Sequence, residues 1–223
     1  MIIIASSKKW FIDKIINNEI NSKFEIINEK EDLNIKYLKS INPKYIFFPH
    51  WNWKVPSNVY ENFKCILFHI APLPEGRGGS PIQNLILRKH SNAPLNAIQM
   101  VGEMDAGPIY LSKNLNLDGK LSEIFERAAP LIISMINEIL ENEPNPKMQK
   151  GTPVYFRRRT NIDNKLPVDN EDLNHLYDFI RMLDDDEYPK PYLDIGIYRL
   201  FFDSAEIKNS ELRSNVRITK KLN

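Results

Sequence analysis

The chain has 223 residues, with 30 Lys+Arg against 29 Asp+Glu for a formal charge of +1, and 42% hydrophobic residues. The composition is ordinary for a soluble globular protein, and the charge balance gives no global attraction for nucleic acid, although it leaves a local basic patch open. The single cysteine, Cys65, excludes an internal disulfide and a cysteine-rich metal site.

Met1-Ile2-Ile3-Ile4-Ala5 reads as a buried first strand over Ile2–Ser6 rather than a leader, and no apolar run approaches a membrane span. The expectation is a cytoplasmic protein. Trp10, Ile12, Ile15 and Ile16 then recur at helical spacing. Phe24–Ile27 predicts a second strand, and Leu33 to Ile41 a helix ended before Pro43, because a residue preceding proline avoids helical angles. Tyr45–Phe48 and Cys65–His69 predict two more strands. Cys65 sits inside the second of these and reads as a small buried thiol. Strands alternating with helical segments predict a mostly parallel sheet with helices on both faces, a Rossmann-like α/β fold.

After Gly76–Gly79, a helix is predicted over Pro81–Lys89, then strands over Leu95–Met100 and Pro108–Leu111. A long amphipathic helix follows from about Ser122 to Glu141, ended by Pro144 and Pro146. From Gly151 on the character changes, with Arg157-Arg158-Arg159, a short helix from about Glu171 to Leu183 and an apolar strand from Ile195 to Phe202. The reading is a main domain over 1–150 and a small C-terminal α+β subdomain over 151–223.

His69 ends an apolar strand, where functional groups gather in parallel α/β sheets. A rigid Pro- and Gly-rich turn follows, Ala71 to Pro81, which lets a ligand approach the backbone. It lacks the Gly-Lys-Ser/Thr ending of a phosphate loop and does not follow the first strand as a dinucleotide fingerprint should. Taken alone, His69 is equally open to a structural reading. Asp105 lies in a turn between two apolar strands, where an aspartate usually serves local hydrogen bonding.

The two together carry more. His69-Ile70-Ala71-Pro72-Leu73-Pro74-Glu75-Gly76-Arg77-Gly78-Gly79-Ser80-Pro81, followed 36 positions after His69 by Asp105-Ala106-Gly107, resembles the folate-dependent formyltransferase family over roughly residues 1 to 160. The wording around Gly76–Asn84 and Asp105–Tyr110 is most similar to bacterial sugar N-formyltransferases. The resemblance implies formyl transfer from 10-formyltetrahydrofolate to an amine without a metal, with His69 and Asp105 catalytic. It implies that His50, Trp51, Asn52, Leu73, Arg77 and Met104 line the folate site. It also implies a nucleotide-linked amino sugar as acceptor for surface polysaccharide, no nucleic-acid partner, and a homodimer as one expectation.

The family's asparagine two residues before the histidine is Leu67 here. A lost oxyanion donor can remove ~3 kcal/mol of transition-state stabilisation. Either His50 or Asn52 substitutes, or the chain is slow, or it is a catalytically silent folate- or sugar-binding module. A formyltetrahydrofolate hydrolase is a further reading, with water in place of the amine. Arg157-Arg158-Arg159 reads as a solvated face or as a site for a sugar-nucleotide diphosphate.

Overall fold

The structure, a computed structural model, describes residues 1–16, 24–169 and 172–221. The described residues divide into two compact units. The first comprises Met1–Gly78, Ala93–Leu115 and Phe125–Tyr155. The second comprises Gly79–Asn92, Asn116–Ile124 and the chain from Phe156 on.

The first unit is built on a sheet whose inner parallel strands are mainly apolar runs, as strands covered on both faces are. β1 (Ile2–Ser6) lies between β2 (Phe24–Ile27) and β3 (Tyr45–His50), parallel to both, with Ile2 opposite Phe24 and Tyr45. β4 (Cys65–Ile70) continues the parallel set beside β3, with Phe48 opposite Leu67. β6 (Asn92–Gln99) runs antiparallel to β4, placing Asn96 opposite His69, and β7 (Ile109–Asn116) completes the order β2-β1-β3-β4-β6-β7. β5 (Glu75–Gly78) is a separate short strand paired with β8 (Val154–Phe156), where Val154 N–H donates to Pro74 O.

α1 (Lys9–Ile16) follows β1 and buries Phe11 and Ile15. α2 (Ile35–Ile41) starts where the Asn34 side chain accepts from Tyr37 N–H at 2.9 Å, and ends at Asn42 in a left-handed turn. The predicted helix from Leu33 thus loses its first two residues to the cap. α3 (Ser57–Tyr60) is a single turn that the sequence pattern did not announce. Ile3, Ala5, Ile46, Phe48 and Cys65 form one core layer with Leu38 and Val59, and Trp51, Leu67 and Met100 pack half-buried against it. α5 (Leu121–Asn142) is the long predicted helix, ended at Glu143 in a left-handed conformation just before Pro144.

The second unit holds α4 (Pro81–Leu87), α6 (Leu173–Arg181) and an antiparallel sheet in the order β11-β10-β9. The expected start of α6 at Glu171 lies outside the described residues. Asp172 caps the helix instead, accepting from Asn174 N–H. β9 (Tyr192–Ile195) turns at Gly196 into β10 (Tyr198–Lys208), and β11 (Glu211–Lys220) returns beside it. The predicted strand over Ile195–Phe202 is therefore two strands, because Gly196 adopts a left-handed φ that reverses the chain. β11 escaped prediction because its polar and charged side chains alternate without a continuous apolar pattern. The buried Arg181 ties α6 to the segment before α5, donating to Leu117 O and Gly119 O while paired with Asp178 at 2.7 Å. Among the described residues no helix is long and apolar enough to cross a membrane.

Candidate active site

β4 delivers His69 to its carboxyl end with the ring almost fully buried. The chain then turns sharply, and Gly76 and Gly78 adopt positive φ in β5, which returns their backbone toward the histidine. The His69 Nε2–H donates to Gly76 O at 2.8 Å, and Nδ1 faces Asp105 Oδ2 at 3.6 Å. The same carboxylate oxygen accepts from Gly78 N–H at 2.9 Å. One turn of loop thus holds the carboxylate, and the strand end holds the imidazole.

Asp105 occupies a left-handed conformation (φ 52°), which aspartate tolerates better than most residues but still at some cost. Gly107 is required two positions later by close approach: a Cβ there would stand 1.7 Å from Gln99 O. This accounts physically for the Asp-x-Gly spacing noticed in the sequence.

Two polar residues that the sequence reading missed brace this arrangement. Asn96 is 2% exposed and donates its amide to Ala71 O at 2.7 Å and to His69 O at 3.3 Å. Its signal was an amide flanked by the apolar Leu95 and Ala97, since a buried amide must find partners. Gln149 accepts from Arg77 Nε and Nη2 and donates to the backbone oxygens of Asp105 and Gly107. Its local sequence carried no such signal.

Arg77 is buried, and its guanidinium is engaged by Gln149, by Glu103 at 2.8 Å and by Tyr155. Met104 is 65% exposed beside Asp105, and Leu73 is half-buried in the turn, its N–H donating to Ala71 O. His50 ends the strand neighbouring β4. Its ring meets Trp10 and Phe125 edge-on, and its backbone oxygen accepts from Ser7 N–H. Asn52 is exposed, and its N–H donates to Ser7 Oγ. Leu67 and Trp51 extend the core layer, and Trp51 meets Phe48 and Trp53 edge-on. The Trp51 Nε1–H is buried without a hydrogen-bond partner, a state that costs ~1–3 kcal/mol and that an acceptor on a ligand would relieve.

The arginine run belongs to the second unit. Arg157 pairs with Asp163, while Arg159 donates to the Asp163 backbone oxygen and lies over the Phe179 ring. A groove of about 650 Å³ along α5, lined by Lys14, Glu126, Pro130, Asn137 and Glu141 among others, shares no residue with the His69 site. Among the described residues no cluster of His, Cys, Asp and Glu is placed to hold a metal ion.

The chain as a whole has counterparts among known proteins. A solved structure of methionyl-tRNA formyltransferase from Clostridium thermocellum is 41% identical, superposes with a TM-score of 0.95, and matches over 99% of both chains. The chain belongs to the formyltransferase family. The family profile described as methionyl-tRNA formyltransferase, C-terminal domain, matches residues 161–219 of the chain. A curated methionyl-tRNA formyltransferase from Campylobacter jejuni subsp. jejuni (strain 81-176) is 27% identical over 192 residues, covering 85% of this chain and 61% of the relative. This family member therefore spans about three-fifths of the length of such curated relatives. The fold is shared with HypX from Aquifex aeolicus, solved in complex with tetrahydrofolic acid, at a TM-score of 0.74 and 14% identity over 92% of this chain and 37% of that one.

Proposed function

We propose that this formyltransferase moves a formyl group from 10-formyltetrahydrofolate to a primary amine. The observation that carries the reading is the buried His69–Asp105 pair at the end of β4, 3.6 Å apart. Family membership supports the folate donor, and the orphaned Trp51 indole N–H with its aromatic neighbours suits a pterin ring. The donor supplies an electrophilic formyl carbon on a nitrogen leaving group.

His69 takes the proton that the acceptor nitrogen loses as its bond to carbon forms. Asp105 orients the imidazole and favours the charge it then carries. His69 later returns the proton to the departing nitrogen, so the site ends as it began. In the free protein Nε2 carries the proton donated to Gly76 O, so His69 acts as base at Nε2 only after the acceptor displaces Gly76 O and the ring takes the tautomer protonated at Nδ1, which faces Asp105 Oδ2. Catalytic hydrogen bonds of this kind are commonly looser before substrate binds.

Two acceptors rest on different observations. A nucleotide-linked amino sugar is supported by the near-neutral charge, because a tRNA-sized polyanion is ordinarily met by an excess of cations. Methionyl-tRNA is supported by the names of the relatives and by the C-terminal match over 161–219. A silent binding module is a third reading, favoured only by Leu67. The test is a turnover assay with 10-formyltetrahydrofolate, a panel of nucleotide-linked amino sugars and methionyl-tRNA, with products read by mass spectrometry. One formylated acceptor, lost in H69Q, supports transfer and identifies the acceptor. Folate breakdown without acceptor means the hydrolase, and folate binding without any product means the silent module.

A further inference from the structure

We propose that Gln149 is a positioning residue for the Asp105–His69 pair. Asp105 holds a left-handed backbone at φ 52°, a conformation that persists in a non-glycine residue only when its surroundings impose it. Gln149 supplies that constraint from outside the loop. Its Nε2 donates to the backbone oxygens of Asp105 and Gly107 at 2.8 and 2.9 Å, one on each side of Ala106. Its Oε1 accepts from Arg77 Nε and Nη2 at 3.1 and 2.9 Å, so the amide cannot be reversed without setting donor against donor and acceptor against acceptor.

The segment that carries Gln149 is itself fixed. Lys147 and Ile109 exchange reciprocal backbone hydrogen bonds at 2.8 Å, two residues before the amide and two after Gly107. Arg77 is anchored in turn by Glu103 and Tyr155. The buried Arg77 charge therefore reaches the aspartate through one side chain. Gln149 touches neither His69 nor the Asp105 carboxylate, so it acts by holding the loop that presents that carboxylate to Nδ1.

The kinetic arm of the test rests on the formyl-transfer reading, and the spectroscopic arm does not. In full-length protein labelled with ¹⁵N at the histidine rings, the His69 signals are assigned by their loss in H69Q and displaced in D105N. Q149A removes both halves of the amide. Q149E keeps an acceptor for Arg77 but cannot donate to the two carbonyls, and it serves as the folding-competent variant if Q149A melts. The expected result is that the His69 ring signals move in Q149E, and in folded Q149A, in the direction seen in D105N. Where wild-type turnover is measurable, kcat should fall about 100-fold with folate affinity unchanged, the order expected from misplacing a reacting group by about an ångström. His69 signals in Q149E that superimpose on wild type would overturn the proposal. A chain with no formyl transfer at all would overturn the functional reading and leave the spectroscopic result to decide this one.

Discussion

Asp105 Oδ2 stands 3.6 Å from His69 Nδ1 while accepting Gly78 N–H at 2.9 Å, so one carboxylate oxygen is shared between the imidazole and the loop that encloses it. Asp105→Asn preserves the shape and removes the charge that favours an imidazolium. The expected result is a fall in kcat of about 10² to 10³-fold, within the range general acid–base catalysis supplies. Far-UV circular dichroism should be unchanged, and steady-state kinetics on the identified acceptor measures the effect.

Leu67 lies on the same strand as His69 and packs against the core layer that includes Phe48. The family places an asparagine there. In Leu67→Asn the side chain loses apolar contact, so the melting temperature should fall. A donor restored beside the reacting carbon should raise kcat, and one oxyanion donor corresponds to about 100-fold. Thermal melts and kinetics on the same preparation separate the two effects. A lower melting temperature without faster turnover would mean that the oxyanion already has its donor.

Much of this architecture is legible in the sequence because the buried strands are short apolar runs with clear stops, as in Ile2–Ser6 and Cys65–Ile70. The His69 and Asp105 motifs were visible through their fixed spacing. Gln149 and Asn96 were not legible as parts of the site, because their roles are side chain-to-backbone hydrogen bonds across 42 to 44 and 25 to 27 residues. No local pattern encodes such contacts. The hairpin of β10 and β11 was missed because β11 lacks a continuous apolar pattern and because its turn, with Asn209 and Ser210 at positive φ, holds no glycine to mark it.

Gly107 admits no side chain. The Cβ of Gly107→Ala would stand 1.7 Å from Gln99 O, and neither backbone can yield without moving the β6–β7 connection. Overpacking of this kind costs about 1–3 kcal/mol. The variant should show a lower denaturant midpoint with unchanged slope. It should also lose more activity than its stability loss explains, because Gly107 O is a partner of Gln149.

Cys65 should be inert in the native protein. It lies buried in the core layer, and burial pushes its thiol up to about 12 from an ordinary 9.0. At pH 8 a thiol-specific disulfide reagent should react at least about 100-fold more slowly with the folded chain than with the urea-unfolded one, because only the thiolate attacks. The linked stability has a definite sign. A thiol held protonated in the fold contributes fully below the unfolded pKa and loses that contribution as pH rises from about 9 toward 12. Rapid native labelling would place Cys65 on an accessible surface.

Asp163 gives the complementary case at acid pH. The Arg157 guanidinium, the Thr160 backbone N–H and the Thr160 hydroxyl hold its carboxyl down to about 2 from an ordinary 3.8. Its contribution is present above the unfolded pKa and is lost as pH falls from about 4 through 2. The carboxyl ¹³C signal of Asp163 should titrate with a midpoint near 2 in wild type. In Arg157→Ala the midpoint should rise, since Arg157 is the largest cause of the depression. A midpoint unmoved in that variant would assign the depression to the Thr160 cap alone.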